Sequence, residues 1–159
     1  MRRFAEGTSV SVGRSRGEID DYLRRWGCAA IAWSDNFESG RATLRFVWKR
    51  ESDAYLARFD IQVPTDEDLR KRAIDQRTRR FSEPKYRKIR EGMGREEHRL
   101  LALWIKAALN AVEAGIIPAE VIFLPFLQGA DGRTVAETAL PRLPTLLSGG
   151  ATALLGSGP

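Results

Sequence analysis

Few side chains in this sequence are equipped for catalysis, and most of them stand alone. The 159 residues include one histidine, His98, and one cysteine, Cys28. Any Ser/His/Asp or Cys/His nucleophilic device would have to be built on that single imidazole. His98 lies between Glu97 and Arg99 at the start of a strongly helical stretch, where it reads as a surface or capping residue rather than a proton shuttle. Cys28 follows Gly27 and opens a short apolar run, the setting of a small buried hydrophobe and not of an activated thiolate. Carboxylates cluster twice. Asp75 with Glu83-Pro84-Lys85 loosely echoes the Asp and Glu-x-Lys of metal-dependent nucleases, but the proline disfavours the central strand that such a motif needs. Asp66-Glu67-Asp68 runs into Leu69-Arg70-Lys71 and reads as acids favouring a helix N-terminus. Gly92-Met93-Gly94 has no strand before it to make a phosphate-binding turn. This inventory leads to no expected catalytic residue, metal site or cofactor.

The remaining chemistry is charge. LRKRAIDQRTRRFSEPKYRKIREGMGR, residues 69–95, holds eleven Lys and Arg against three acids, an excess of +8 in a chain of formal charge +5. Everything outside it is therefore mildly acidic. A solvated helix face, or a loop balanced by acids elsewhere, is the ordinary explanation of such a run. The functional explanation is phosphate contact, in which Lys and Arg neutralise a polyanion and release its counterions. Arg70, Lys71, Arg72, Arg77, Arg79 and Arg80 supply the first half of the candidate site. Lys85, Arg87, Lys88 and Arg90 supply the second. Arginine predominates, and its planar fork suits phosphate oxygens and base edges better than an ammonium does. Phe81 and Tyr86 interleave the charges as candidates for stacking on unpaired bases. A membrane surface is the weaker target, because few large apolar residues recur at helical spacing for insertion.

Local patterns set out the elements that must position these groups. Residues 8–12 alternate Thr, Ser, Val, Ser, Val and predict a short first strand. Ser15 and Glu18 have capping-box spacing, predicting a helix over 16–26 whose stripe is Ile19, Tyr22, Leu23 and Trp26 and whose stop is Gly27. Three strands follow in a meander, at 28–33, 41–49 and 55–63, with Pro64 ending the last. In the second, Ala42, Leu44, Phe46 and Trp48 share the core face while Arg41, Arg45 and Lys49 face away. Arg58 faces away in the third, so Arg45 and Arg58 join the candidate site on a sheet face left open by helices covering the other. Residues 68–95 form a long basic connector. Residues 96–114 are the strongest helix, with Leu100, Leu101, Trp104, Ala108, Ala111 and Val112 at helical spacing and Gly115 as its stop. Pro118 opens a short helix, and Thr134 with Glu137 caps another that Pro141 ends.

Strands in a meander with helices on one face define an α+β class. The length suits one domain over residues 1–147, burying roughly two thirds of the surface of the unfolded chain. The tail, 148–159, is Gly- and Ser-rich and is expected to be flexible. A lone cysteine suits a reducing cytoplasm, and no window reaches the roughly eighteen apolar residues that span a bilayer.

GTSVSVGRSRGEIDDYLRRWG, LLALWIKAALNAVEAGI and ADGRTVAETALP resemble segments of small uncharacterised proteins encoded by tailed bacteriophages and prophages. The likeness covers Gly7 to about Leu146, with the basic connector and the tail least like that group. Because the group has no assigned activity, the resemblance implies a setting, the cytoplasm of a bacterial host, and transfers no residue role. The expected function is a non-enzymatic, phage-type nucleic-acid-binding accessory protein, acting on DNA or RNA in DNA replication, recombination or defence evasion. The alternative is an inhibitor that docks the same segment onto an acidic, nucleic-acid-binding cleft of a host enzyme. A third class, a metal-dependent nuclease, rests on Asp75 and Glu83 alone.

Overall fold

The computed structural model describes Ala5 and residues 7–147, so the expected flexible tail lies outside the described residues. The first element is a helix, not a strand. Ser11 is extended, and its hydroxyl accepts from the Arg14 N–H at 3.2 Å, so α1 (Val12–Trp26) begins one turn before the predicted cap. Residues 8–11 pair with no strand, and Ser15 is buried inside the helix rather than capping it. Two valines between hydroxyl residues alternate, but that pattern carries little apolar surface to hold an edge strand in place. Gly27 closes α1 at φ 98°, with its N–H on the Arg24 carbonyl.

The sheet is the predicted meander: β1 (Ala30–Asn36), β2 (Arg41–Arg50) and β3 (Asp53–Gln62), antiparallel in that order. Register places Leu44 between Trp33 and Phe59, and Phe46 between Ile31 and Ala57, on the core face. Gly40, at φ 63°, is fixed by close approach: a Cβ there would lie 2.5 Å from the Val63 carbonyl oxygen. After Pro64 the chain forms α2 (Asp66–Arg72) and α3 (Glu83–Glu91), then α4 (Arg95–Glu113). Two helices, α1 and α4, cover the core face of the sheet, giving an α+β fold.

α4 is rotated slightly from its predicted stripe. His98, Ala102, Ile105, Ala108 and Leu109 are buried, whereas Leu100 and Trp104 are each 38% exposed. Large side chains dominate a periodicity count, but here the small ones allow α4 to approach α1 and the sheet closely.

Beyond α4, α5 (Ala119–Ile122) delivers Phe123, fully buried, into an aromatic cluster with Phe46, Trp48 and Phe59. Burying such a ring stabilises by about 1.5–3 kcal/mol. That exceeds the roughly 0.5–1.5 kcal/mol of the backbone hydrogen bond from Gln128 to Leu56, 2.8 Å, which stitches the next segment to β3. The chain then crosses to the other face of the sheet through α6 (Val135–Ala139), capped by Thr134 and Glu137 as predicted, and α7 (Leu143–Leu146) is the last described element. The expectation of one fully open face is therefore corrected. The β3 side is roofed by residues 129–141, and on the β1 side Ala30, Ala32 and Ser34 are exposed among the described residues.

Candidate nucleic-acid interface

The basic connector is a helical hairpin with a small core of its own. Thr65 and Asp68 form a capping box that starts α2, so the acids of 66–68 are helix-starting residues, as their position before Leu69 implied. Leu69, Ala73 and Tyr86 are buried together, with Ile89 and Met93 against them. Tyr86 is thus not available to stack on a base. The residue is 6% exposed and its hydroxyl donates to Asp66. An amphipathic α3, with Tyr86 and Ile89 three residues apart, has to bury its aromatic residue against α2. Phe81 stays 45% exposed, its ring 5.7 Å from that of Tyr86 and within 5.9 Å of the Arg70 guanidinium.

The tip of the hairpin is tied by one carboxylate. Asp75 Oδ1 accepts from the N–H groups of Arg77, 2.8 Å, and Thr78, 2.9 Å, and from the Thr78 hydroxyl. Its backbone N–H donates to the Arg80 carbonyl, and its carbonyl accepts from Arg79. The two backbone donors, Thr78 and then Arg77, hold the Asp75 carboxyl below its usual range. Asp75 therefore serves the loop. Glu83 is the partner of Arg87, and among the described residues no group of three or more His, Cys, Asp or Glu is placed to hold a metal ion. Arg79 is held at φ 52°, a left-handed conformation that a non-glycine residue adopts only when its surroundings impose it. The consequence is three arginines, Arg77, Arg79 and Arg80, displayed within four residues on a fixed turn.

Pairing separates the candidates. Arg70 contacts Asp66 at 2.7 Å, Lys71 contacts Glu67 at 2.7 Å, and Arg87 contacts Glu83 at 3.2 Å; all three pairs are one helical turn apart and more than half exposed. Such surface pairs contribute little and yield readily to a competing anion. Among the described residues no carboxylate is within ion-pairing distance of Arg72, Arg77, Arg79, Arg80, Lys85, Lys88 or Arg90. Lys85 donates to the Ile74 carbonyl instead.

On the sheet, Arg45 is half-buried and without a carboxylate partner among the described residues, whereas Arg58 is spoken for. Arg58 donates to the Gly132 carbonyl at 2.6 Å and to Glu137 at 2.5 Å, and its Nε lies 3.1 Å from Asp60, in charge contact but off the line of a hydrogen bond. Its place in the candidate site is corrected: it fastens the C-terminal roof to the sheet. Local sequence could not show this, because Asp60 is two residues away but Glu137 is seventy-nine.

A second cluster, unseen in the sequence, gathers Arg16, Asp35, Trp33 and His98 between α1, β1 and α4. Arg16 bonds both Asp35 oxygens, at 3.0 and 2.5 Å, lies 4.5 Å from the Trp33 ring centroid, and donates to His98 Nε2 at 3.0 Å. Nδ1 of His98 then donates to the Gly94 carbonyl, 2.7 Å. His98 is therefore not on the surface; it is 2% exposed, and burial lowers its pKa. Both ring nitrogens are committed inside the fold, which leaves neither for abstracting a proton. The adjoining pocket, about 160 Å³, has mainly apolar walls that include Val12, Phe37, Val63 and Met93. Cys28 is half-buried against the main core, and burial pushes its thiol up to about 12, as suits an inert side chain.

Among the described residues no helix is long and apolar enough to cross a membrane. No protein-family model, no curated protein and no solved structure matches this chain.

Proposed function

We propose that the protein binds nucleic acid through the α2–α3 hairpin, as a phage-type accessory factor in DNA replication, recombination or defence evasion. One observation carries the reading: Arg77, Arg79 and Arg80 project from a hydrogen-bonded turn with no carboxylate of the described residues to neutralise them. Because the turn is already ordered, a polyanion does not have to bear the entropy of ordering it. Arg72, Lys88 and Arg90 extend the charge along both helices, and the exposed pairs of Arg70, Lys71 and Arg87 can exchange a carboxylate for a phosphate. The phage setting follows from the resemblance in sequence.

The test is a fluorescence-anisotropy titration of labelled DNA and RNA at two salt concentrations. With about six phosphates engaged, log affinity falls with log salt at a slope near −5. Replacing Arg77, Arg79, Arg80, Arg87 and Lys88 together with Ala abolishes that binding while the far-UV circular dichroism is retained. Full affinity in the folded variant would remove the hairpin from the site. Indifference of the parent protein to every polynucleotide would transfer the same charge to an acidic protein cleft, the inhibitor reading.

A further inference from the structure

The charge of the hairpin suits single and double strands alike. We infer that its ligand is a double helix, held by its sugar-phosphate backbone, with a trough on the outward face of the sheet as the second half of the site. The inference rests on the proposed function.

The trough is asymmetric. On the β1 side the outward residues are Ala30, Ala32 and Ser34, all exposed and all small, so a bulky ligand can approach the sheet closely there. On the β3 side the roof of residues 129–141 forms a wall, enclosing a concavity of about 570 Å³. Between them β2 presents Arg41, Arg45 and Lys49 on one face at every fourth residue, a repeat of about 14 Å. None has a carboxylate within ion-pairing distance among the described residues.

Arg45 is the informative member. It is half-buried and directly opposite Arg58 in the β2–β3 register. Like charges facing across a strand pair destabilise a sheet, and the acids nearby, Asp60 and Glu137, are already engaged by Arg58. Arg45 is thus a guanidinium that no carboxylate of the described residues neutralises, in a concave site open to solvent. An external phosphate would satisfy it. Arg41 joins this trough to the hairpin, because it lines the concavity and follows Gly40, which is packed against Thr65, the cap of α2.

What the site lacks selects the duplex. Proteins that hold single strands combine a basic groove with aromatic faces for the bases. No outward-facing residue of the trough is aromatic: β1 offers Ala and Ser, β2 offers Arg, Thr and Val, and β3 offers Leu, Arg and Asp. In the hairpin Tyr86 is buried, which leaves Phe81, and Phe37 is a second exposed ring between hairpin and trough, so two rings stand among many more cations. Guanidinium groups that so outnumber the rings available for stacking contact backbone more than unpaired bases.

The experiment titrates one 20-base-pair sequence as duplex DNA, as duplex RNA and as each separate strand, with the whole protein at fixed salt. Either duplex is expected to bind at least about tenfold more tightly than its strands, with little dependence on sequence. Single strands binding as tightly as duplexes would overturn this inference and leave the proposed function standing; no binding to any of them would overturn both. A second arm uses R41A/R45A, which removes the like-charge contact with Arg58 and is expected to fold with undiminished thermal stability. Its duplex affinity falls at least about tenfold, and its salt slope becomes shallower by about two. Parent-like affinity and slope in that variant would exclude the trough.

Discussion

Where α1, β1 and α4 meet, the protonation of His98 is decided by its surroundings. Burial disfavours the charged ring most, and Arg16, which donates to Nε2, opposes it as well; the Gly94 carbonyl, Asp35 and Glu97 act in the other direction but do not prevail. The pKa is therefore held below the ordinary 6.5 in the folded protein. An unfolded chain takes up this proton near 6.5 and the folded chain only at lower pH, so the unfolded state gains protons first as the solution is acidified. Stability is complete above about 6.5 and declines as pH falls toward the folded value. As this is the only histidine, and ordinary carboxylates titrate at about 4, the decline between about pH 6.5 and 5.5 belongs to it. The midpoint of urea unfolding should fall over that range, and H98N should flatten the dependence even if its overall stability is lower. An unchanged slope in H98N would mean that another group is responsible. Sequence gave no sign of this role, because Arg16 and Asp35 are nineteen residues apart and His98 a further sixty-three.

At the scale of elements, the hairpin is a unit with its own three buried residues, distinct from the main core. Leu69 is 2% exposed, and Leu-to-Ala changes at such sites cost about 2–5 kcal/mol. That exceeds what a core of this size can supply, so L69A should melt the hairpin and leave the sheet with α1 and α4 intact. Hydrogen exchange is the measurement: amides of residues 66–91 lose protection while those of α4 keep theirs, and polynucleotide affinity drops with the hairpin. Parallel loss of protection in α4 would show one cooperative unit instead. The three-strand meander was legible because β2 and β3 alternate over residues 42–48 and 55–61, with Val47 and Leu56 the apolar exceptions on the outward face. Helical caps of the Thr65 and Thr134 kind are equally local, and the spacing of Thr134 and Glu137 identifies the box that starts α6. The connector was legible as charge but not as structure. Tyr86 reads in sequence as a stacking residue because its partner Asp66 lies twenty positions upstream, and nothing short-range reveals that an aromatic ring among cations is a core residue.

The whole molecule divides its arginines by the reach of their partners. In the body four are neutralised across long stretches of chain, Arg16 by Asp35, Arg50 by Glu120, Arg58 by Glu137 and Arg99 by Glu18, while Arg41 and Arg45 hold no carboxylate among the described residues. In the hairpin the ion pairs among the described residues are those one turn apart, and no carboxylate of the body lies within ion-pairing distance of its cations. Arg58 tests this division, since the same residue type is structural in one half and available in the other. Removing it leaves Asp60 without its cation and releases the carbonyl of Gly132 and the carboxylate of Glu137, the latter 45% exposed and so readily hydrated. R58A is therefore expected to cost about 1–2 kcal/mol, at the lower end for bonds to charged groups. The loss should be localised: the amides of Gln128 and Val135, which donate to Leu56 and Leu127, should exchange faster as the roof of residues 129–141 lifts from β3. By contrast, replacing Arg77 or Arg79, which hold no carboxylate, should leave stability and those amides unaltered. If R58A instead kept parent-like stability and exchange but lost affinity for polynucleotide, Arg58 would belong to the binding surface, and long-range pairing would not be what distinguishes the two halves.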